Sequence, residues 1–266
     1  MSEKPLTPSR PGLPSEAAAP SPSKRGFLQD LLAMATGFGL AGSAQAAMLP
    51  DPTHQPARRP GMAGKRFGML VDIRKCIGCQ ACTVSCSVEN QPPIGQFRTT
   101  VLQYEIDRPG SSPAMVSLPR LCNHCEAPPC VPVCPVQATF QREDGIVLVD
   151  NERCVGCGYC VQACPYDARF INHETQTADK CTFCEHRLEA GLLPACVESC
   201  VGGARVIGDL NDPDSEIQRR MQAHKEQLQV LKPGMQTEPR VFYIGLPEEF
   251  VNGVDGQASV RLVAEH

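Results

Sequence analysis

The chain has 266 residues, 42% of them hydrophobic, and a formal net charge of −4, which allows a buried core in one or two domains and gives no electrostatic footing for nucleic acid. Tryptophan is absent, while 25 prolines and 22 glycines imply a loop-rich fold. Sixteen cysteines dominate the composition; they signify disulfides in an oxidising compartment and metal in a reducing one, so their spacing has to decide.

In chain order, Ser23-Lys24-Arg25-Gly26-Phe27-Leu28-Gln29 precedes an apolar run over residues 31–42 and then Ala44-Gln45-Ala46. A basic stretch, a short apolar stretch and a small-residue cleavage site, in that order, predict an export signal over residues 1–46. The apolar run is about half the roughly twenty residues a membrane span needs. Ser-Lys-Arg-x-Phe-Leu resembles the twin-arginine signal with lysine in place of the first arginine; an ordinary Sec signal is the alternative. The twin-arginine route carries folded proteins, so metal could be inserted in the reducing cytoplasm before delivery to the periplasm. A Pro-rich linker over residues 47–65 would follow, and no direct membrane span is expected.

Four groups account for every cysteine. Cys76, Cys79, Cys82 and Cys86 form the first, and Cys154, Cys157, Cys160 and Cys164 the third; both have the C-x₂-C-x₂-C-x₃-C spacing of bacterial ferredoxins, in which three thiolates hold one cluster and the fourth reaches its neighbour. The second group is Cys122, Cys125, Cys130 and Cys134, and the fourth Cys181, Cys184, Cys196 and Cys200. Pro135 and Pro165 complete the ferredoxin Cys-Pro ending twice. Leu70-Val71-Asp72 before the first group matches Leu148-Val149-Asp150 before the third, with Gly78 and Gly156 at equivalent places. Pro128-x-Cys130-Val131-x-x-Cys134 likewise matches Pro194-x-Cys196-Val197-x-x-Cys200, and Ala138 matches Ala204. The plan is an internal duplication, A-B-A′-B′, with an insertion near residues 186–192 in the fourth group.

Three thiolates within seven residues can surround a small inorganic cluster only if the chain loops tightly around it. A strand over residues 67–73 should lead into the first loop. A strand over residues 146–149 should lead into the third, entered through an Asp144-Gly145 turn from a hairpin beginning near Thr139. Zinc prefers two separated pairs of ligands and leaves the third cysteine of each run surplus. Near-copies of one loop do not resemble a disulfide scaffold, and no Cys-x-x-Cys-His for covalent haem occurs.

With these groups in place, the chain resembles the four-cluster ferredoxin-like subunits of molybdenum oxidoreductases of the dimethyl-sulfoxide-reductase type, and within them the branch serving tetrathionate. The resemblance spans about residues 67–210. It rests on the cysteine framework, Arg120-Leu-Cys-Asn-His-Cys, Gln141-Arg-Glu-Asp-Gly-Ile-Val, the run from Arg169 to Cys181, and Arg187-Leu-Glu-Ala-Gly-Leu-Leu-Pro-Ala-Cys196. It implies an α+β fold of two nested bacterial ferredoxin-like modules within residues 66–210, the inner over about 119–170, the outer over 66–118 plus 171–210. It also implies ligand sets: Cys76, Cys79, Cys82 and Cys200; Cys86, Cys181, Cys184 and Cys196; Cys122, Cys125, Cys130 and Cys164; Cys134, Cys154, Cys157 and Cys160. Loop lengths alone leave sequential pairing open. Four 4Fe–4S clusters, a molybdopterin catalytic subunit and a membrane quinol-oxidising subunit follow from the resemblance, with no catalytic residue in this chain. Sister subunits serving polysulfide, thiosulfate, dimethyl sulfoxide or nitrite share the framework, and a free polyferredoxin is the reading from a different class.

Lys75, Arg153 and Lys180 each precede the first cysteine of a group, and Arg120 lies two before Cys122; they read as exposed strand-end cations rather than tuning charges. His124, between Cys122 and Cys125, reads as a spacer, and His173 and His186 as structural or solvated. In the C-terminal extension, residues 211–266, an amphipathic helix is expected over 214–230, with Ile217, Met221 and Leu228 inward and Asp214 or Ser215 as cap, then a strand over 240–246.

Overall fold

A computed structural model describes residues 56–107, 112–252 and 260–264; the expected export signal and residues 47–55 of the expected linker lie outside them. The described chain mixes short helices with eleven strands among long loops. Strand β1, Phe67–Asp72, is buried along its whole length, which explains its continuous apolar sequence. It lies inside a four-stranded sheet, parallel to β10 (Val241–Ile244) and antiparallel to β8 (Arg205–Asp209); β9 (Leu228–Gln229) pairs with the outer edge of β10. The C-terminal extension therefore completes the sheet that leads into the first cysteine group.

A second sheet pairs β2 (Thr99–Ile106) with β3 (Ala114–Leu121) and β11 (Val260–Ala264). Two hairpins complete the strands: β4 (Thr139–Gln141) with β5 (Val147–Val149), and β6 (Arg169–Ile171) with β7 (Ala178–Lys180). The Asp144-Gly145 turn joins β4 to β5, with Gly145 at φ +83°. Asp144 is fully buried, and its carboxylate accepts from Met62 N, Ile146 N and Arg142 Nη2 at 2.8–3.1 Å. Its carbonyl accepts from Phe67 N at 3.0 Å, tying the hairpin to β1.

Each cysteine group is thus entered from one strand of an antiparallel pair: β1, β3, β5 and β7. Each is left toward the first strand of the next pair: β2, β4, β6 and β8. Because β8 pairs with β1, the plan closes on itself, the exit of group four lying beside the entrance of group one. Helix α1 (Ala81–Asn90) carries Cys82 and Cys86, α2 (Tyr159–Gln162) carries Cys160, and α3 (Glu185–Glu189) occupies the start of the insertion. Helix α4 (Ala195–Glu198) carries Cys196 and packs on α1, where Ser85 Oγ and Ser199 Oγ meet at 2.7 Å. The main core gathers Met69, Val71, Tyr104, Leu118, Phe183 and Tyr243 with five of the cysteines. Tyr243 Oη donates to Pro119 O at 3.0 Å, linking the two sheets.

The C-terminal helix is shorter than its apolar spacing predicts. Helix α5, Glu216–Ala223, starts at Ser215, whose hydroxyl accepts from Gln218 N at 3.4 Å. Ile217 is fully buried, but the helix ends at His224 and Leu228 belongs to β9. The backbone of Leu228 and Gln229 pairs with Ile244 and Tyr243, so a sheet edge overrides the helical period. A last helix, α6 (Glu248–Asn252), sets Phe250 against Tyr104, ring centroids 5.0 Å apart.

The matching glycines Gly78 and Gly156 sit at φ +70° and +67°, which glycine alone adopts without cost. At Gly156 an added Cβ would also lie 2.2 Å from the Gln176 carbonyl oxygen, whereas Gly158, at φ +76°, has open space. Gly158→Ala should cost about 1 kcal/mol of left-handed strain, and Gly156→Ala ~3 kcal/mol or more, because backbone atoms must also move. Thermal unfolding followed by circular dichroism should rank the two variants in that order; equal melting would show that the loop relaxes freely.

Candidate iron–sulfur centres

All sixteen cysteines are free of disulfides. Cys86, Cys181, Cys184 and Cys196 line one cavity together with Asn90, Phe183 and Pro194. Cys76, Cys79, Cys82 and Cys200 line another, with Ala204 and Arg205 in its wall. Cys125 has Cys122, Cys130 and Cys164 as its thiol neighbours, so residues more than forty positions apart in sequence share one site. Of the remaining four, Cys154 and Cys160 belong to one small apolar cluster with Cys130, Val131, Val147 and Ala178; Cys134 is half-buried and Cys157 exposed. Among the described residues, no three His, Cys, Asp or Glu side chains converge on a point suited to one metal ion. The thiols ring small spaces instead.

Local backbone holds the sulfurs. Three groups end in Cys-x-x-x-Ala, and each Ala N–H donates to the sulfur four residues back: Ala138 to Cys134 Sγ at 3.2 Å, Ala204 to Cys200 Sγ at 3.2 Å, and Ala168 to Cys164. Further N–H donors reach Cys154 from Ala178 at 3.3 Å, Cys181 from Phe183 at 3.4 Å and Cys76 from Gly78. Asn90 Nδ2 lies 3.5 Å from Cys86 Sγ and 3.6 Å from Cys184 Sγ. Such donors favour sulfur that carries negative charge.

Burial acts in the opposite sense. It pushes the Cys86 thiol up to about 12, with Cys196 and Cys184 adding like-charge repulsion. It raises Cys130 to about 11 against the opposing effect of Arg169, and raises Cys125 and Cys181 as well. Free thiols, nine of the sixteen buried and only two exposed, brought together across the sequence and met by N–H donors are a donor set suited to iron–sulfur clusters, whose metal charge offsets what burial costs the thiolate.

Charges near these sites depart partly from the sequence expectation. Lys75 and Arg153 are exposed, and Arg120 is half-buried with Nη2 donating to Tyr166 O at 2.9 Å. Lys180 is only 1% exposed, which corrects its reading as a strand-end surface charge. Its position on β7 points inward, and its Nζ donates to the carbonyls of Val147 and, at 2.9 Å, Cys181. Cys122, Cys181 and Cys130 are its thiol neighbours. Two further cations, Arg169 and Arg205, are buried among the thiols without any expectation from the sequence. Arg169 Nη2 donates to Cys130 Sγ at 3.0 Å, and the Arg205 side chain hydrogen-bonds to Cys196. Burial disfavours both guanidiniums, but the surrounding thiols outweigh it and raise their pKa. The sequence does carry a clue: each arginine stands five residues after the last cysteine of its group.

His124 is fully buried, stacks on Phe183 with centroids 3.7 Å apart, and accepts Val147 N–H on Nδ1 at 3.0 Å. Burial, then Lys180, holds it well below the usual imidazole value, so it is a neutral packing residue. His173 is exposed, and His186, also exposed, pairs with Glu89 Oε1 at 2.8 Å.

The 4Fe-4S dicluster domain family matches residues 113–210. A tetrathionate reductase subunit of Salmonella typhimurium is 62% identical over 91% of this chain and 96% of its own length. Its counterpart of the same name in Archaeoglobus fulgidus is 45% identical over 69% of this chain and 84% of its own. The arsenate respiratory reductase iron–sulfur subunit ArrB of a Shewanella strain is 34% identical over 67% and 96%. With dry, N–H-solvated thiols in place and identity of this extent, the chain belongs to the family of 4Fe–4S iron–sulfur subunits that includes these tetrathionate reductase subunits.

Proposed function

We propose that this chain is the electron-transfer subunit of a tetrathionate reductase, connecting a membrane quinol-oxidising subunit to a molybdopterin subunit that reduces tetrathionate to thiosulfate. The observation that carries the electron-transfer role is the gathering of free cysteines from distant parts of the chain into shared, largely buried sites; the acceptor follows the near-full-length relative named as a tetrathionate reductase subunit. No helix among the described residues is long and apolar enough to cross a membrane, in keeping with a separate anchor.

The ligand sets are Cys76, Cys79, Cys82 and Cys200; Cys86, Cys181, Cys184 and Cys196; Cys122, Cys125, Cys130 and Cys164; and Cys134, Cys154, Cys157 and Cys160, forming two nested ferredoxin modules. Two four-cysteine cavities and one mutually neighbouring foursome support the first three sets; the fourth is what remains. A 4Fe–4S cluster accepts and releases one electron without needing a proton. The protein's part is to keep the middle sets dry and bring the end sets to the surface. Every cysteine of the second set is buried, while Cys79 of the first and Cys157 of the fourth are exposed. Ile77 beside Cys79, and Val155 and Tyr159 beside Cys157, are exposed apolar side chains suited to burial against partners.

Anaerobically purified protein should contain about sixteen irons and sixteen acid-labile sulfides. Cys200→Ser and Cys76→Ser should perturb one and the same electron paramagnetic resonance signal. A loss from the third-group signal in Cys200→Ser would instead establish sequential pairing.

Loss of this chain should abolish quinol-driven tetrathionate reduction by the membrane complex while a reduced dye still drives the molybdenum subunit. Co-purification with a reductase of different acceptor would keep the electron-transfer role and overturn tetrathionate, and recovery of no partner would point to a free polyferredoxin.

We also assign the chain to the periplasm by way of the twin-arginine route, on the strength of Ser23-Lys24-Arg25-x-Phe27-Leu28. Replacing Lys24 and Arg25 together by Gln should strand it in the cytoplasm, and Lys24→Arg should be tolerated; unchanged delivery of the double variant would refute the assignment.

A further inference from the structure

The third and fourth cysteine groups end in the same short phrase. Cys164 is followed by Pro165, Tyr166, Asp167, Ala168 and Arg169, and Cys200 by Val201, Gly202, Gly203, Ala204 and Arg205. In both, the Ala N–H is spent on the last cysteine's sulfur, and the arginine opens the next strand, β6 or β8. Its side chain turns inward: Arg169 is 4% exposed and Arg205 3%.

A buried guanidinium is costly unless anionic partners surround it. The ionisable groups bearing most on Arg169 are the thiols of Cys130, Cys122, Cys160 and Cys164. Those bearing on Arg205 are Cys196, Cys82, the Tyr243 hydroxyl and Cys181. Each arginine straddles two of the ligand sets above. Cys122, Cys130 and Cys164 belong to the third set and Cys160 to the fourth, while Cys196 and Cys181 belong to the second and Cys82 to the first. The anchoring is also equivalent. Arg169 Nη1 donates to Thr139 Oγ1 at 3.2 Å, and Arg205 Nη2 to Thr99 Oγ1 at 3.0 Å, both hydroxyls being buried. Arg205 Nη1 is buried without a hydrogen-bond partner, in the side chain that helps wall the cavity of Cys76, Cys79, Cys82 and Cys200. A donor is left over where a sulfur-rich group would accept it.

We propose that Arg169 and Arg205 are equivalent positioning cations, one for each of the two nested modules, each placed between two ligand sets so that it raises the reduction potential of both clusters they hold. The reason is electrostatic. Reduction adds one negative charge and no proton, and a fixed positive charge in a dry interior favours the more negative form. One cation shared by two sites also keeps their potentials moving together, so that electron passage between them stays close to level. The inference rests on the ligand sets proposed above.

The test uses the full chain, purified anaerobically, with iron and sulfide measured before any titration. Arg205→Gln should lower the midpoint potentials of the two signals that Cys76→Ser and Cys86→Ser perturb and leave the other two in place. Arg169→Gln should do the reverse, acting on the signals that Cys122→Ser and Cys154→Ser perturb. Arg205→Lys, which keeps the charge, should restore most of the shift. Unchanged potentials at full iron content, or an equal shift of all four signals, would reduce the arginines to structural braces and overturn the proposal. Should a Gln variant lose iron, Thr99→Val and Thr139→Val keep the cation but remove its anchor. A shift confined to the same two signals supports the proposal, and no shift overturns it. Fewer than four signals in the wild-type chain would fail the ligand sets and not this inference, which would then be read on the clusters held by Cys196 and Cys130.

Discussion

Taking sulfur ligands out of water and setting them beside one another is what the rest of this fold has to offset, because desolvation and mutual repulsion both disfavour an ionised thiol. The rise of Cys86 to about 12 and of Cys130 to about 11 expresses that cost directly. The chain answers it at two ranges. At contact range, backbone N–H groups freed by the tight turns point at sulfur, as at Cys134, Cys154 and Cys200. At longer range, Lys180, Arg169 and Arg205 place positive charge where water is excluded. Those cations would themselves be unfavourable without the sulfur, so neither the thiols nor the cations are stable residents of this core alone. That reciprocity would couple cluster insertion to folding.

Much of the site is legible in the sequence because its information is local. Three cysteines within seven residues, a glycine at the same place in each copy, and Ala four residues past the last cysteine are contiguous signals. Gly78 and Gly156 at matching positive φ, and Ala138 and Ala204 making the same 3.2 Å bond, show that the duplication is one of conformation. What the sequence hides depends on distant pairing. Strands β2 and β3 are the longest here, yet they lack the Asn-Gly or Asp-Gly punctuation that marks a hairpin. The end of α5 falls short of the helical pattern because Leu228 is claimed by Ile244, sixteen positions away. Lys180 looks like a surface charge because a residue before a ligand has no address until β7 is paired; opposite Arg169 in that hairpin, its side chain can only run inward.

The closing of β8 on β1 has a consequence for stability. Segments on either side of residues 73–204 meet in one antiparallel pair, and the C-terminal strand β10 adds itself to the other edge of β1. Group one is therefore entered from a strand flanked by chain from two remote regions, whereas group three is entered from a local three-residue hairpin, β4–β5. The first site depends on the whole chain being present. The third depends on a turn, reinforced by Asp144 and its buried hydrogen bonds.

The alternation of loop types accounts for which cysteines stay wet. In the compact runs the second cysteine sits at the apex of a loop too short to fold over it, and Cys79 and Cys157 are the two exposed cysteines. The wider spacing of groups two and four gives the chain room to cover its ligands, and only their last members, Cys134 and Cys200, are less than fully buried. The fourth group extends this with α3, tied to α1 through Arg187 and Glu89 at 2.8 Å. In the proposed nested sets the three leading cysteines of each compact run fall in an end set, and three cysteines of each wider group fall in a middle one. On that proposed assignment, duplicating an A-B unit would yield a series with two solvent-facing ends and a dry interior, which is the order an electron carrier between two partners requires. No further change in the ligand loops is needed to produce it, because the spacing that defines each loop also determines how far that loop can shield its sulfur.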